Sequence, residues 1–450
     1  MTSDDYLLVF KHTNFPEACI QVPAGTLEPG ETAEAGVLRE AYEESGNDYP
    51  KTPLKNATSL PSSPDAIIIG GGISGTAAAF FLTQAGLKST IIERLPALAA
   101  LTTARSMESV RAQFVEPETL LMMRESITFY EDFAENIGLS DVDIGLHQAG
   151  YLFLTTEAAG AERFRQRVRR QHAFGLTDVV LLTGEQIRQR FPFVSEKVVA
   201  GTFRPGDGWL AAHEAAFGFA RSSGAKVLTG TVVSGILQES GRVTGVETDQ
   251  GRIAAPVVIV AAGPYSGNVA SLAGLDLPLT IVRRHRVTIG QHPLIPQDAP
   301  MVIDGDTGAH WRPESPGAAL AWAQAHEPPG EPLDDVRANP MFVFDVMEGV
   351  YRLCPFWLEV AESLKRDQVF LLAGQYTVTP DHKPIIGPHP ELAGLYVSAG
   401  YNGHGIMAAP GAARLLADLV TGKVNDSGNP FGVARLSALA GDSENHELML

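Results

Sequence analysis

The sequence predicts an α/β fold with a dinucleotide-binding βαβ unit, and three features near residue 70 support this. An apolar run, Ala66–Ile69, leads into Gly70, Gly72 and Gly75, which have the spacing G-x-G-x-x-G. A helical pattern follows, and a second apolar run ends at Glu93. Such glycines permit a tight turn, a close approach of the backbone to a pyrophosphate, and close packing of helix on strand. The acid can accept hydrogen bonds from ribose hydroxyls, so we expect this unit to hold the ADP half of a dinucleotide.

The composition limits the class of protein. A length of 450 residues suggests two or three domains, and 44% hydrophobic against 19% charged residues allows a large core. The net charge of −18 disfavours nucleic acid and anionic membranes as partners. The two cysteines, Cys19 and Cys354, cannot build a disulfide framework and fit a reducing compartment. No signal-peptide pattern is visible, so we expect a cytoplasmic protein.

The uncharged stretch 66–87 is the strongest candidate for a membrane helix. Its three consecutive glycines and its polar residues Ser74, Thr76, Thr83 and Gln84 argue against insertion into lipid. We therefore expect no membrane span.

Helical and strand patterns alternate from this unit to about Gly422. Helices are predicted over 116–137 and 160–175, a strand after Gly150, a helix from His213, a hairpin over 242–253, a buried strand over 255–263, and a strand, glycine loop and amphipathic helix over 394–420.

Four motifs together resemble the FAD-dependent oxidoreductases of the D-amino-acid oxidase superfamily, and the resemblance runs from Asp65 to about Gly422. They are the G-x-G-x-x-G unit with Glu93 and Arg94, the strand Val-Val-Ile-Val-Ala-Ala-Gly ending at Gly263, Thr379-Pro-Asp-x-x-Pro-Ile-Ile-Gly, and Gly400-Tyr-Asn-Gly-His-Gly.

The resemblance implies a two-domain α/β flavoprotein. A glutathione-reductase-like Rossmann domain would bind FAD, and an antiparallel sheet would cover the flavin and form the substrate pocket. We expect the following division: 65–145, 206–275 and 370–422 form the FAD-binding domain, 146–205 and 276–369 the substrate domain, 1–50 a separate segment, 51–64 a linker, and 423–450 a surface tail.

The resemblance also assigns residues to the cofactor. These are Gly70, Gly72, Gly75, Glu93 and Arg94 at the ADP half, Val233 at the adenine, Ala262 and Gly263 at a strand end beside FAD, and Gly403, His404, Gly405, Ile406 and Met407 against the flavin ring. A helix that begins near Met407 supports the last placement, because its positive end can stabilise negative charge on reduced flavin.

Tyr376 identifies the branch of the family that the chain resembles most. It stands five residues before Asp381, where glycine-oxidase-like members have an Arg that binds the substrate carboxylate. The sarcosine-oxidase-like branch has a Tyr there, followed later by Gly-His-Gly, as in this chain. The resemblance then gives carboxylate binding to Arg111, whose guanidinium can pair bidentately with a carboxylate. A surface role for Arg111 and a packing role for Tyr376 are the alternatives.

The chain departs from the sarcosine-oxidase pattern in three places. Gly374 replaces the Cys that is linked to flavin, and Thr102–Met107 contains no His that could replace this link, so we expect noncovalent FAD. The stretch that matches the oxygen-activating Lys, from Gly317, contains no Lys. Met407 replaces a further Lys beside the flavin. The second departure favours a dehydrogenase with an unknown electron acceptor over an oxidase, and the third is expected to alter the reaction rate and the flavin potential.

The expected reaction is oxidation of an amine or amino acid, with a secondary N-alkyl amino acid favoured. Hydride would pass from the carbon next to nitrogen to flavin N5, and water would hydrolyse the resulting imine. The amine must be neutral to react, and desolvation with nearby positive charge favours that form. His404 could tune amine protonation, although we do not expect it to act as a base.

A second motif lies in the N-terminal segment. Gly25, Glu31, Arg39, Glu40, Glu43, Glu44 and Gly46 match a Nudix box, in which Glu40, Glu43 and Glu44 can converge on Mg²⁺. About 60 residues precede the FAD-binding part, fewer than a whole Nudix domain needs by resemblance. A truncated remnant is therefore the leading interpretation of this segment.

Two alternative functions stay open at this point. One is Mg²⁺-dependent diphosphate hydrolysis by the Nudix box. The other is a non-catalytic role, because some members of the superfamily are flavin-containing assembly factors.

Overall fold

The six-stranded sheet at the centre of the molecule is built around the predicted βαβ unit. In the computed structural model, which describes residues 63–314, 316–322 and 327–439, its strands are β1 (Ala66–Ile69), β2 (Ser89–Ile92), β8 (Lys226–Leu228), β12 (Val257–Val260), β19 (Ile385–Pro388) and β20 (Leu395–Ala399). Their spatial order is β19-β20-β12-β1-β2-β8. All neighbouring pairs are parallel except β19 with β20. This mostly parallel sheet contains the βαβ unit that the sequence predicts, with β1 parallel to β2.

A second sheet has nine strands. These are β4 (Tyr151–Thr155), β5 (Val180–Thr183), β6 (Ala200–Arg204), β13 (Thr280–Ile289), β14 (Met301–Asp304), β15 (Ala309–Glu314), β16 (Gly317–Trp322), β17 (Pro329–Gly330) and β18 (Val369–Val378). It is antiparallel apart from the β4–β14 pair. Smaller sheets are formed by β9 (Val233–Glu239), β10 (Arg242–Thr248) and β11 (Gly251–Ala254), and by β3 (Ser109–Val110) with β7 (Gly208–Trp209).

Eleven helices of the described residues cover these sheets. They are α1 (Ile73–Gln84), α2 (Pro117–Glu131), α3 (Phe133–Ile137), α4 (Ala158–Ala173), α5 (Gly184–Arg190), α6 (Ala212–Ser223), α7 (Ser266–Ser271), α8 (Phe342–Tyr351), α9 (Phe356–Ser363), α10 (Gly405–Val420) and α11 (Ala434–Leu439). The predicted helices, hairpin and strands are thus confirmed.

Two apolar cores hold the layers together. The larger joins the six-stranded sheet to α1, α2, α6 and α10, with Phe80 packed between Phe129 and Phe219. The other joins one face of the nine-stranded sheet to α8 and α9 through Trp311 and Trp357. The opposite face of that sheet carries a smaller apolar cluster that includes Tyr151 and Phe153, and also arginines and a histidine, because alternate residues of a strand point to opposite faces.

Strand β18 belongs to the nine-stranded sheet, where it pairs with β13 over its full length. The expected division places 370–422 in the FAD-binding domain, so this strand pairs outside the part to which it was assigned. The division into domains remains a proposal, and segment 1–50 lies outside the described residues.

The expected surface tail is wrong for the residues that directly precede and begin α11. Phe431, Val433 and Leu436 are buried, and the amide of Ile386 donates to the Phe431 carbonyl. Arg435 pairs with Asp381 at 2.7 Å. The Asn, Asp, Gly and Pro residues around these apolar side chains are typical of turns, so the composition predicted a surface tail. The composition does not show that the segment packs against β19.

Gly75 allows α1 to lie against the turn that follows β1. A Cβ at this position would overlap the carbonyl oxygen of Gly70, which is backbone and cannot move aside. We predict that Gly75→Ala lowers the free energy of unfolding by about 1–3 kcal/mol through this overlap. Gly267→Ala is the matched control, because that helical glycine has open space around its Cβ position. Denaturant titration of both variants measures the effect, and equal stabilities would contradict it.

Candidate functional site

A deep cavity opens where the parallel strands β1, β2 and β12 end. It holds about 1300 Å³ of space, counting the solvent in its open mouth. Its walls run from the glycine turn after β1 to the loop before α10. A crevice at the carboxyl ends of parallel strands is the usual ligand site of such sheets.

The glycine turn forms the first wall of this cavity. Gly70 and Gly72 line it, whereas Gly75 lies behind them at the contact between helix and turn. Gly72 is the N-cap of α1 and supplies no side-chain cap, so the first turn keeps donors for a phosphate. The amide of Ile73 donates to Thr103 Oγ1 at 3.2 Å, which ties the turn to the far side of the cavity.

Glu93 stands at the end of β2, as predicted, and its carboxylate is already held by backbone. Its Oε2 accepts from the Gly71 amide at 2.8 Å, and its Oε1 accepts from the Leu95 amide at 2.9 Å. These bonds fix the carboxylate at the cavity wall while each oxygen keeps a further lone pair. Val233 lines the same end of the cavity at the start of β9.

Arg94 lines the cavity and is tied to a segment that the sequence did not reveal, residues 331–334, which we call the strap. Its guanidinium pairs with Asp334, which also accepts from the Tyr265 hydroxyl at 2.6 Å. Gln375 holds the neighbouring backbone, because its Oε1 accepts from the Leu333 amide and its Nε2 donates to the Glu331 carbonyl. Residues 331–334 have no regular pattern, so spacing alone could not have identified them.

Tyr376 and Gly403 meet at the opposite end of the cavity. A Cβ on Gly403 would overlap the Tyr376 ring, and Gly403 has φ +87°, so this position needs glycine for two reasons. The amide of Asn402 donates to the Thr377 carbonyl at 2.9 Å, which joins the loop to β18. Burial raises the pKa of Tyr376, so its hydroxyl is neutral. Ala262, Gly263, Gly405 and Ile406 also line the cavity.

His404 and Met407 do not form walls of this cavity. The His404 ring packs edge-on against Phe114 with centroids 5.1 Å apart, and Met407 lies in the apolar core. Burial and the nearby Arg111 charge lower the pKa of His404 to about 3, so its ring is neutral at physiological pH. The assignment of both residues to the flavin ring remains a prediction.

Arg111 is buried in the same cluster and is not a surface residue. Its side chain lies 3.9 Å from the Phe114 ring centroid, and Nη1 donates to the Gln113 carbonyl at 2.8 Å. Burial lowers the pKa of Arg111 to about 10, which leaves the guanidinium charged at neutral pH. In the described part of the chain no carboxylate lies within 4.0 Å of it. The structure thus brings Arg111 and His404 together, with Tyr376 across the loop at the cavity wall.

The residues fit FAD at both ends of the cavity. One end offers an uncapped helix terminus and a fixed carboxylate, as an ADP moiety needs. The other offers an apolar ring, a glycine loop and the start of α10. By contrast, residues 63–314, 316–322 and 327–439 contain no group of three His, Cys, Asp or Glu that could hold a metal ion. The predicted Mg²⁺ ligands Glu40, Glu43 and Glu44 lie outside these residues.

A membrane span is not found in the described chain either: none of its helices combines enough length with enough apolar character to cross a bilayer.

Comparison with known proteins identifies relatives whose names describe them as dehydrogenases of amino acids. Human mitochondrial dimethylglycine dehydrogenase is 26% identical over 391 residues, which cover 82% of this chain and 44% of that protein. Human mitochondrial sarcosine dehydrogenase is 27% identical over 406 residues, which cover 86% of this chain and 43% of that protein. The chain therefore spans less than half the length of these relatives.

Solved structures share the fold over most of the chain. L-Proline dehydrogenase from P. horikoshii superposes with a TM-score of 0.74 at 26% identity, covering 84% of this chain and 99% of that one. At the N-terminus, a model of the NUDIX domain matches residues 1–66, which supports the Nudix box recognised in the sequence. A model of the FAD-dependent oxidoreductases (DAO) matches residues 65–419, most of the chain. The protein therefore belongs to the DAO family of FAD-dependent oxidoreductases.

Proposed function

We propose that this protein oxidises an amine or amino acid, with secondary N-alkyl amino acids preferred, through noncovalently bound FAD. The observation that carries the proposal is the cluster beside the cavity end, where the charged Arg111 has no acidic partner within 4.0 Å among the described residues and adjoins a neutral His404. The names of the relatives support the substrate class, since they include dehydrogenases of dimethylglycine, sarcosine and L-proline.

FAD would be held by the residues of the two cavity ends. Gly70, Gly72 and Glu93 would hold the ADP half, and Gly403, Gly405 and Ile406 would adjoin the ring. When bound, FAD would accept a hydride from the carbon next to the amine nitrogen. The oxidised substrate is an imine, which water hydrolyses to a carbonyl compound and a smaller amine.

Arg111 would orient the substrate by binding its carboxylate. A guanidinium can form two parallel hydrogen bonds with a carboxylate, and burial strengthens each of them. Its charge would also disfavour a protonated amine nearby, because two cations repel in a desolvated site. His404 is neutral and adds no charge to the site, so the reactive neutral amine is favoured by Arg111 and by burial.

We propose a dehydrogenase rather than an oxidase. Strand β16 carries no Lys and turns Ala321 toward a smaller cavity that adjoins the FAD cavity, and Met407 is buried in the core where oxidases have a second Lys. No cation from these two positions is then available to stabilise reduced oxygen. We propose a cytoplasmic location for it, although the named human relatives are mitochondrial enzymes.

The test is anaerobic mixing of the purified holoenzyme with a panel of primary and secondary amines. Bleaching of the flavin absorbance by N-methyl amino acids is expected, followed by slow recovery in air and fast recovery with an artificial dye. If no amine bleaches the flavin, the oxidative function is wrong, and the result favours a non-catalytic role as a flavin-containing assembly factor. Fast recovery in air would contradict the dehydrogenase.

The NUDIX match supports a second candidate activity, Mg²⁺-dependent hydrolysis of a nucleoside diphosphate compound by Glu40, Glu43 and Glu44. Release of phosphate in the presence of Mg²⁺, abolished by Glu44→Gln, would establish it. If the full chain releases no phosphate from a broad panel of such compounds, the result favours the interpretation of the Nudix segment as an inactive remnant.

Arg111→Gln is predicted to raise the KM for the amino-acid substrate at least about 30-fold, since it removes a desolvated charge–charge hydrogen bond worth about 2 kcal/mol or more. The FAD content of the purified variant should not change, because Arg111 does not line the FAD cavity. Steady-state kinetics and flavin absorbance measure the two effects. Arg111→Lys should recover part of the loss, and a KM within twofold of wild type would remove Arg111 from the substrate site.

His404 is predicted to make stability depend on pH below 7. Because its folded pKa of about 3 lies below the unfolded value, only the unfolded state takes up the proton as pH falls through 6.5. The wild type should therefore lose about 2 kcal/mol of unfolding free energy between pH 7 and 5 through this residue, and His404→Asn should not. Denaturant titrations at each pH test this. Above pH 7 the unfolding free energies of the two proteins should change with pH in the same way. If they also fall equally below pH 7, His404 is protonated in the folded state.

A further inference from the structure

A second, smaller cavity adjoins the FAD cavity on the far side of Tyr376, and we call it the side cavity. It holds about 410 Å³, counted in the same way, and shares Thr102, Gln375 and Tyr376 with the larger one. Its floor is the charged face of the nine-stranded sheet, which contributes Arg284, Arg286 and His310. The two cavities are therefore neighbours that meet at these three residues.

Arg284 lines the side cavity and forms no ion pair with an acid of the described residues. No carboxylate of the described residues lies within 4.0 Å of its guanidinium. Its Nη1 donates to the Arg283 carbonyl at 2.9 Å, and its buried Nε has no hydrogen-bond partner there. Its Cζ lies 5.9 Å from the centroid of the Tyr376 ring. A partly desolvated guanidinium with an unused donor is a strong site for an anion.

The acids around the side cavity are already paired with other arginines. Glu314 pairs with Arg286, and Glu108 lies 3.3 Å from Arg312. Glu327 pairs at 2.8 Å with Arg283, the neighbour of Arg284 on β13. Adjacent residues of a strand point to opposite faces, so this pair lies on the other side of the sheet. Burial lowers the pKa of Arg284, and the charge of Glu327 opposes this shift, but it acts from beyond ion-pair distance, so the Arg284 guanidinium stays open to an anion in the side cavity.

Arg284 is a different residue from Arg111, which the proposed function assigns to the substrate carboxylate. Arg111 does not line the side cavity, but its charge acts on His310, which does. Arg111 thus lies behind the wall of the side cavity near His310, whereas Arg284 lines that cavity beside Tyr376. A substrate that lies between them meets positive charge at two places.

We propose that the side cavity binds a second carboxylate of the substrate through Arg284. The substrates would then be amino acids that carry an acidic side chain or an acidic N-substituent. This inference rests on the proposed function, because it places an added anionic group on the amine that this function oxidises.

Two pairs of racemic compounds test it, N-methylglutamate with N-methylglutamine and N-methylaspartate with N-methylasparagine. Each pair is nearly equal in shape and differs by one negative charge. The wild-type holoenzyme should prefer the acid at least tenfold in kcat/KM in one pair, and Arg284→Gln should reduce that preference at least tenfold with unchanged FAD content. Arg284→Lys should keep part of it.

Arg283→Gln is the matched control, since it removes the same charge one residue away on the other face of β13. It should keep the wild-type preference. A wild-type ratio near one in both pairs would overturn the inference. So would an equal loss of kcat/KM on acid and amide in Arg284→Gln, which would mean that Arg284 binds the common carboxylate instead.

Binding separates this inference from the proposed function. N-Acetylglutamate and N-acetylglutamine have no amine to oxidise, and calorimetric titration of the holoenzyme measures their affinities. Tighter binding of the acid, lost in Arg284→Gln and kept in Arg283→Gln, supports the anion site even if no amine bleaches the flavin. Equal binding of the two compounds by the wild type would overturn the site whatever the enzyme oxidises.

Discussion

The contact between Gly75 and the carbonyl of Gly70 is the constraint on which the site depends. It allows α1 to begin directly against the end of β1, so that the uncapped helix terminus lies at the cavity wall. The carboxylate of Glu93 then holds the same turn from the neighbouring strand. A side chain at this contact would separate helix and turn, and the donors meant for a phosphate would move away from the strand ends.

The second end of the cavity is made by the other sheet. Tyr376 comes from β18, and its ring lies on Gly403 in the loop before α10. This contact joins the parallel sheet, which is suited to a dinucleotide, to a charged sheet face, which is suited to an anionic substrate. In this arrangement bound FAD would supply the redox chemistry and the charged sheet face would orient the substrate. The family membership of the chain and the positions of Arg111 and Arg284 agree with these two roles.

Local patterns predicted the parts of the site that are local in the chain. The βαβ unit, the hairpin and the helix after Gly403 follow from turn residues and periodicity over a few residues, and the structure contains them. The side-chain directions could not be predicted in this way. The packing of Arg111 against Phe114 and the position of Met407 in the core depend on contacts between segments, which local patterns do not contain. The strap at Asp334, the position of Arg284 and the packing of Phe431 likewise arise from contacts more than 40 residues apart.

The central claim is that one chain encloses one FAD between the glycine turn and the Gly403 loop without a covalent bond. The direct measurement is the flavin released when the purified protein is denatured, quantified per chain after reconstitution with excess FAD. The account predicts one intact FAD per chain, all of it free in solution after denaturation. A protein that stays colourless in excess FAD would contradict the account, and flavin that stays on the denatured chain would contradict the noncovalent site.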